Sequence, residues 1–134
     1  MILVDTSAWV EYDRATGSAA DRRLTDLISA DGPVAVTEPV VMEVVAGARS
    51  LRREDDLRRL LGRCRLLPVD PVADFDAAAR IYRRCRGAGV TPRGLIDCLI
   101  AAVAWRTGAS VLARDVDLER VGGVIGLEVE HGSA

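Results

Sequence analysis

Short runs of consecutive apolar residues alternate along this chain with longer stretches of helical periodicity. Ile2-Leu3-Val4 and Val34-Ala35-Val36 are apolar at every position, as strands at the centre of a parallel sheet are. Ser110-Val111-Leu112-Ala113 predicts another strand, Leu66-Leu67-Pro68-Val69 a weaker extended segment, and Leu127 to Val129 a last strand. The segments between them read as helices. Ala8 to about Arg14 follows a cap at Thr6 or Ser7 and stops at Thr16-Gly17-Ser18. Leu24, Leu27 and Ile28 mark a second helix, ended by Asp31-Gly32-Pro33. Thr37-Glu38-Pro39 opens a third, Val40 to about Ala46, in which Glu43 is the only internal charge. Leu51 to Leu61 is amphipathic, with Leu57, Leu60 and Leu61 on the inner face and Gly62 as its stop. Asp70-Pro71 starts a helix in which Val72, Phe75, Ala79 and Tyr82 recur at helical spacing and Asp76 pairs with Arg80. Gly87-Ala88-Gly89 ends it. A short helix after Arg114-Asp115-Val116-Asp117 runs to a break at Gly122-Gly123, and His131 to Ala134 reads as a frayed tail.

One stretch departs from this amphipathic pattern. Gly94 to Trp105 is apolar throughout except for Asp97. It is too long for an ordinary strand and long enough for three helical turns. Thr91 is placed to cap it, with Pro92 at the first helical position and Gly108 beyond its end. A helix apolar on nearly every face belongs in a core, so Asp97 is drawn inside or to the wall of a cleft. A carboxylate there is costly unless something positive compensates it. The alternation of strands and helices predicts an α/β fold, a sandwich around a mostly parallel central sheet. With no internal repeat or linker, residues 1–134 read as a single domain.

Composition narrows the chemistry. Of the residues, 49% are hydrophobic and 28% charged, which describes a globular chain with a core of Val, Leu, Ile and Ala. The formal charge of −2 provides no bulk attraction to nucleic acid, yet all 18 basic residues are arginine and many are clustered: Arg52-Arg53, Arg58-Arg59, Arg63, Arg65, then Arg80, Arg83, Arg84, Arg86 and Arg93. A GC-rich coding sequence accounts for the missing lysine but not for the clustering. Cys64, Cys85 and Cys98 fit neither a metal pattern nor a disulfide framework. Together with the lack of a basic leader or a long apolar segment, this predicts a cytoplasmic protein with no membrane partner.

Five acids stand out by position. Asp5, and Asp115 with Asp117, follow predicted strands, where open parallel sheets bind ligands. Glu43 and Asp97 each interrupt an apolar helix. Converged carboxylates cannot all stay ionised without positive charge, and no lysine is present to supply it. A hard divalent cation bound through oxygens meets that need, and Mg²⁺ typically takes one or two carboxylates, water and a substrate phosphate. Each acid also has a plain role. Asp5 and Asp115 suit helix caps, Asp117 suits the positive helix end, Glu43 suits an arginine pair, and Asp97 can bond Arg93 one turn earlier. Thr6 and Ser7 fit hydrogen-bonding support better than nucleophilic attack. The lone His131 near the terminus disfavours histidine-based chemistry, and no glycine-rich phosphate loop is present.

With those residues placed, the chain resembles the PIN-domain toxins of the VapC type. The matching pieces are Ile2-Leu3-Val4-Asp5-Thr6-Ser7, Glu38-Pro39-Val40-Val41-Met42-Glu43, Leu95-Ile96-Asp97-Cys98-Leu99-Ile100-Ala101-Ala102 and Arg114-Asp115-Val116-Asp117-Leu118. They occur in the family's order and span nearly the whole chain. Leu118 departs from it, since an aromatic is common there. The resemblance implies a PIN-like three-layer α/β/α sandwich and a Mg²⁺- or Mn²⁺-dependent endoribonuclease. It makes Asp5, Glu43, Asp97 and Asp115 the acidic quartet, Asp117 a fifth member, and Thr6 or Ser7 the supporting hydroxyl. It also implies a homodimer, an RNA substrate and a neutralising VapB-type antitoxin. On that reading Asp5, Asp97 and Asp115 hold one or two ions with Asp117 close by, while Glu43 ligates through water or orients and deprotonates the attacking water. A catalytically silent PIN-type RNA- or partner-binding module is the alternative. A phosphoacceptor receiver domain has similar size and architecture, but normally needs a lysine that this chain lacks.

Overall fold

A computed structural model describes residues 1–132. Five strands, β1 (Ile2–Val4), β2 (Val34–Val36), β3 (Arg65–Leu66), β4 (Ser110–Leu112) and β5 (Val129–Glu130), form one sheet in the order β3-β2-β1-β4-β5. Every pairing is parallel, so the sheet is wholly rather than mostly parallel. The helices are α1 (Thr6–Arg14), α2 (Ala19–Ser29), α3 (Glu38–Ala46), α4 (Leu51–Gly62), α5 (Ala73–Gly87), α6 (Leu95–Thr107) and α7 (Val116–Ile125). The chain steps from β1 to β2 to β3 towards one edge, then crosses back to β4 and β5. Right-handed crossovers therefore put α1–α4 on one face and α5–α7 on the other. The packing agrees: α1 meets α2 and α3, α3 meets α4, and α5, α6 and α7 meet one another. This is the expected three-layer α/β/α sandwich.

The apolar strands supply the core. Leu3, Val4, Ala35, Val111 and Leu112 are fully buried, as are Trp9, Leu24, Val40, Leu57, Ile100, Val103 and Leu118. Leu118 thus fills a core position that an aromatic would also suit. In α6, residues 98–104 are all buried, as the apolar run requires. Its start differs from expectation. Gly94, not Thr91, is the N-cap, and Thr91-Pro92-Arg93 belongs to the connector from α5. Asp97 consequently lies in the first turn of α6, at the positive end of the helix.

Helix α5 also departs from the periodicity. Val72 (84% exposed), Phe75 (58%) and Ala79 face outwards, and Tyr82 is half-buried. The buried side chains are Asp74, Ala78 and Cys85. Asp74 accepts from Arg106 Nε (2.9 Å) and Nη2 (2.8 Å), an ion pair that turns α5 on α6 so that the more apolar face looks out. Burial alone would raise the Asp74 carboxyl, but Arg106 and the Asp70 N–H outweigh it and hold the carboxyl below its ordinary value. The helix starts later than Asp70-Pro71, at Ala73 with Val72 as its N-cap, although Asp70 Oδ1 accepts from Val72 N and Ala73 N in the turn that leads into it.

Gly122-Gly123 is not a break but lies inside α7, which ends at Gly126 in the left-handed region. A Cβ on Gly122 would sit 2.7 Å from Val129 Cγ2 and 2.8 Å from the Leu127 carbonyl oxygen. The glycine therefore allows α7 to approach β5, which lies one to two residues later than the predicted strand. Gly122→Ala is expected to cost about 1–3 kcal/mol, read as a lower urea midpoint. The predicted tail is docked where it is described: His131 Nε2 lies 3.1 Å from Glu119 Oε2, and Gly132 passes against the Ala19 backbone. Ser133 and Ala134 lie outside the described residues.

Candidate active site

Strands β1 and β4 are neighbours, with Val4 opposite Leu112. They are also where the order of strands reverses, because β1 leads to one edge and β4 to the other. The loops beyond their carboxyl ends separate there and leave a crevice. Asp5 directly follows β1, and Asp115 lies three residues beyond β4. Asp5, Thr6, Ser7, Glu43, Asp97 and Asp115 line one cleft of about 340 Å³, together with Val10, Glu11, Arg93 and Arg114. The fold thus brings together four acids that are distant in sequence. Asp117 is not in the lining; it stands in the first turn of α7 beside Asp115.

The cap and site readings of Asp5 prove compatible. Its Oδ2 accepts from Ser7 N (3.0 Å) and Ser7 Oγ (2.6 Å), which caps α1. The Oδ1 atom is buried with no partner. Asp115 caps α7 in the same way, its Oδ1 accepting from Asp117 N at 2.9 Å. Each carboxylate spends one oxygen on its helix and keeps the other for the cleft. The two hydroxyls divide the supporting work. Thr6 Oγ1 donates to Glu43 Oε1 at 2.7 Å, joining α1 to α3. Ser7 Oγ accepts from Arg114 N at 2.9 Å, tying the end of β4 to Asp5.

The charges in the cleft are frustrated. Burial pushes Asp5 above its usual value, and Asp115 and Glu43 push the same way against the Ser7 hydrogen bonds. Asp97 is raised to about 6, by burial first and then by Asp5, Asp115 and Glu43, with Arg93 opposing. Arg93 lies 3.7 Å from both Asp115 and Asp117. Arg114 is turned aside to Glu11 at 3.3 Å.

These features fit a hard divalent cation. A buried carboxylate oxygen has no partner, and the donors are all oxygens. The four acids line the cleft without forming a ready-made ligand set: among the described residues, no three His, Cys, Asp or Glu side chains stand close enough together to hold a metal ion as placed. An ion bound here would keep coordination positions for water and phosphate, as Mg²⁺ usually does. A larger concavity of about 560 Å³ lies between α5, α6 and α7. Its only acid, Asp74, is paired with Arg106, whereas the smaller cleft is lined by several acids.

Sequence reasoning missed Glu11 and Arg114 as cleft residues, and it set Arg93 to bond Asp97, whereas Arg93 faces Asp115 and Asp117. Glu11 had a signal, since it lies four residues after Ser7 and hence on the same helical face. The two arginines lie in loops, where spacing says nothing about direction. Three of the four arginines of α4 are engaged elsewhere: Arg53 with Asp13, Arg58 with Glu54 and Arg59 with Asp56. Among the described residues, no helix is long and apolar enough to cross a membrane.

The chain is 46% identical over 129 residues to ribonuclease VapC11 of Mycobacterium tuberculosis, covering 96% of each protein. The fold matches the DNA-bound VapBC complex of Salmonella typhimurium, with a TM-score of 0.74, 21% identity and 96% coverage of each chain. It also matches M. tuberculosis VapC20, described as a sarcin-ricin loop cleaving toxin, with a TM-score of 0.68, 21% identity and coverage of 96% and 99%. The PIN domain family pattern matches residues 2–124, a span that holds both strand-end aspartates and both helix-borne acids. An acid-lined cleft at the β1/β4 switch point, in a chain matched almost from end to end, leads to one conclusion: this protein belongs to the PIN-domain family, among its VapC-type members.

Proposed function

We propose that this protein is a metal-dependent endoribonuclease and the toxin of a VapBC-type pair. The observation that carries this reading is the convergence of Asp5, Glu43, Asp97 and Asp115 in one cleft, with Asp5 Oδ1 buried and unpaired. Asp5, Asp97 and Asp115 would hold one or two Mg²⁺ or Mn²⁺ ions, with Asp117 at the margin. A bound ion supplies positive charge that makes an attacking water more nucleophilic and offsets charge on the leaving oxygen. Glu43, held by Thr6, orients the water and takes its proton as the water oxygen attacks phosphorus. The bond from phosphorus to the 3′ oxygen breaks, and that oxygen takes a proton from solvent. The products are a 5′-phosphate and a 3′-hydroxyl.

The partners follow from the same family. A VapB-type antitoxin is the expected neutralising partner, since the related fold from Salmonella is described as a VapBC complex. A homodimer is supported by the outward apolar face of α5, where Phe75 and Ala79 are uncovered and Tyr82 and Leu95 line one concavity. RNA would meet the cleft through its arginine rim, so binding weakens with salt despite the net charge of −2.

The test is cleavage of total bacterial RNA by the purified protein, with Mg²⁺ or Mn²⁺ and with EDTA. Discrete fragments bearing 5′-phosphates, lost on chelation, are the expected result. A folded protein that binds metal and RNA but leaves individual structured RNAs uncut would favour the silent binding module. Ser7→Ala removes one of the two donors to Asp5 Oδ2 and the acceptor of Arg114 N. It is expected to weaken Mn²⁺ binding about 10–100-fold, as loss of a supporting hydrogen bond commonly does. Unchanged affinity by calorimetry would remove Ser7 from the support of the site.

A further inference from the structure

Arg93 faces two of the acids at the mouth of the cleft. It lies in the irregular connector between α5 and α6, just before the Gly94 cap. Its Nη2 is 3.7 Å from Asp115 Oδ2 and its Nε is 3.7 Å from Asp117 Oδ2. One guanidinium thus spans the two aspartates of the α7 turn. The fork geometry of arginine permits this, whereas a lysine ammonium is a point charge. Both distances exceed hydrogen-bond reach, and the side chain is 71% exposed. The contact is therefore weak and readily exchanged. The Asp115 oxygen it faces is the one not used to cap α7. Arg93 thus stands where a cation on Asp115 would stand.

Arg114 is a natural contrast. It lines the same cleft and carries the same charge, but it is paired with Glu11 and contacts neither Asp115 nor Asp117. Any effect specific to Arg93 must come from its contact and not from the general field of the rim.

We infer that Arg93 is an exchangeable internal counter-ion of Asp115 and Asp117, which a divalent cation displaces and which then holds an RNA phosphate at the mouth of the cleft. The inference rests on the metal-site reading given above. Without metal, the guanidinium offsets the repulsion between the two aspartates. With metal, the cation takes over the Asp115 oxygen, and a like-charged guanidinium beside it is repelled. The freed arm has three neighbours available: solvent, the cation's own anionic ligands, and the incoming phosphodiester. A phosphodiester gives it a bidentate anionic partner that arrives from solvent, where the exposed side chain can reach it. Metal loading and RNA binding are thereby coupled through one side chain, and the metal-free cleft is kept from offering bare carboxylates to the RNA backbone.

The experiment measures Mn²⁺ affinity by electron paramagnetic resonance for the wild type, Arg93→Gln, Arg93→Lys, Arg114→Gln and Asp97→Asn. It also measures binding of a short labelled single-stranded RNA in Ca²⁺ at several salt concentrations. Melting curves confirm that each variant folds, which the exposure of both arginines favours. Arg93→Gln is expected to bind Mn²⁺ about fivefold more tightly, since a weak competitor is removed. Arg114→Gln is expected to stay within about twofold of wild type, and Arg93→Lys to lie between, because it keeps the charge but not the fork. RNA binding by Arg93→Gln is expected to weaken several-fold, with the salt slope reduced by about 0.7, the value of one single-strand phosphate contact. Equal Mn²⁺ affinity in wild type and Arg93→Gln overturns the inference, as does an equal gain in Arg114→Gln, which would be a field effect. In either case, Mn²⁺ binding by the wild type that is lost in Asp97→Asn leaves the metal site standing. No Mn²⁺ binding by any of the proteins removes the metal-site reading itself, and the inference with it.

Discussion

Asp97→Asn is expected to lower RNA cleavage about a thousandfold while raising the melting temperature of the metal-free protein. The two effects share a cause. Asp97 sits at the cleft wall in the first turn of a buried helix, and its carboxyl is held up to about 6 by burial and by Asp5, Asp115 and Glu43. The fold therefore prefers it neutral, whereas a cation site needs it charged. Asparagine has nearly the same shape and no charge, so it relieves the repulsion and removes a ligand together. A bound cation contributes several kcal/mol to phosphodiester hydrolysis, and about 4 kcal/mol corresponds to a factor of about a thousand. The gain in melting temperature should be larger at pH 8 than at pH 5, where the wild-type carboxyl is already protonated. Thermal melts in EDTA at both pH values, beside a cleavage assay, check the pair of effects. Wild-type cleavage by the variant would remove Asp97 from the chemistry. A fall in melting temperature would mean that its charge is compensated in the fold.

Metal affinity is expected to fall at least about tenfold between pH 7 and pH 5, while the stability of the metal-free protein moves the other way. The sign follows from linkage. Asp97 has a raised value in the fold, so between about pH 4 and pH 6 the native state holds more protons than the unfolded chain. Its favourable contribution is complete below its ordinary value and is lost as pH rises through about 6. A cation competes with that proton, so each proton displaced gives about a tenfold change in affinity per pH unit below the transition. Asp5 is raised as well, which steepens the dependence. Asp74 acts in the opposite sense: its value is lowered, so its stabilisation is present at neutral pH and is lost only as pH falls below the ordinary carboxylate range. The two windows are separate. Mn²⁺ titrations from pH 5 to pH 8 should show affinity rising to a plateau near pH 7, and a flat profile would contradict the protonated state of Asp97.

The regular elements were legible because each has a local cause. β1 and β2 are continuous apolar triplets, and leucine spacing marks α2 and α4, whereas β3 and β5 are two-residue strands that carry Arg65 and Glu130 and left a weaker trace. The misreadings arose where a distant contact outweighed a local preference. Val72, Phe75 and Ala79 look like a core face, but Asp74 reaches Arg106 from the other side of α5 and fixes the rotation of the helix. Gly122-Gly123 looks like a stop, but the close approach of Val129 is what calls for Gly122. Thr91-Pro92 looks like a helix start, but those residues belong to the connector that brings Arg93 to the cleft.

The sequence by itself determined the class of fold and the identity of the acids. Alternating periodicity sets a parallel α/β sheet, and a lone carboxylate in an apolar run has few places to go. Hydrophobic patterning is a local property, so it survives in one dimension. What only the tertiary structure decided is direction. Asp5 and Asp115 each divide their two oxygens between a helix cap and the cleft, Thr6 serves Glu43 while Ser7 serves Asp5, and Arg93 rather than the arginines of α4 reaches the acids. Those assignments depend on the placing of β4 beside β1 and on the packing that turns each helix. They are set by contacts between residues many positions apart, which no local spacing encodes.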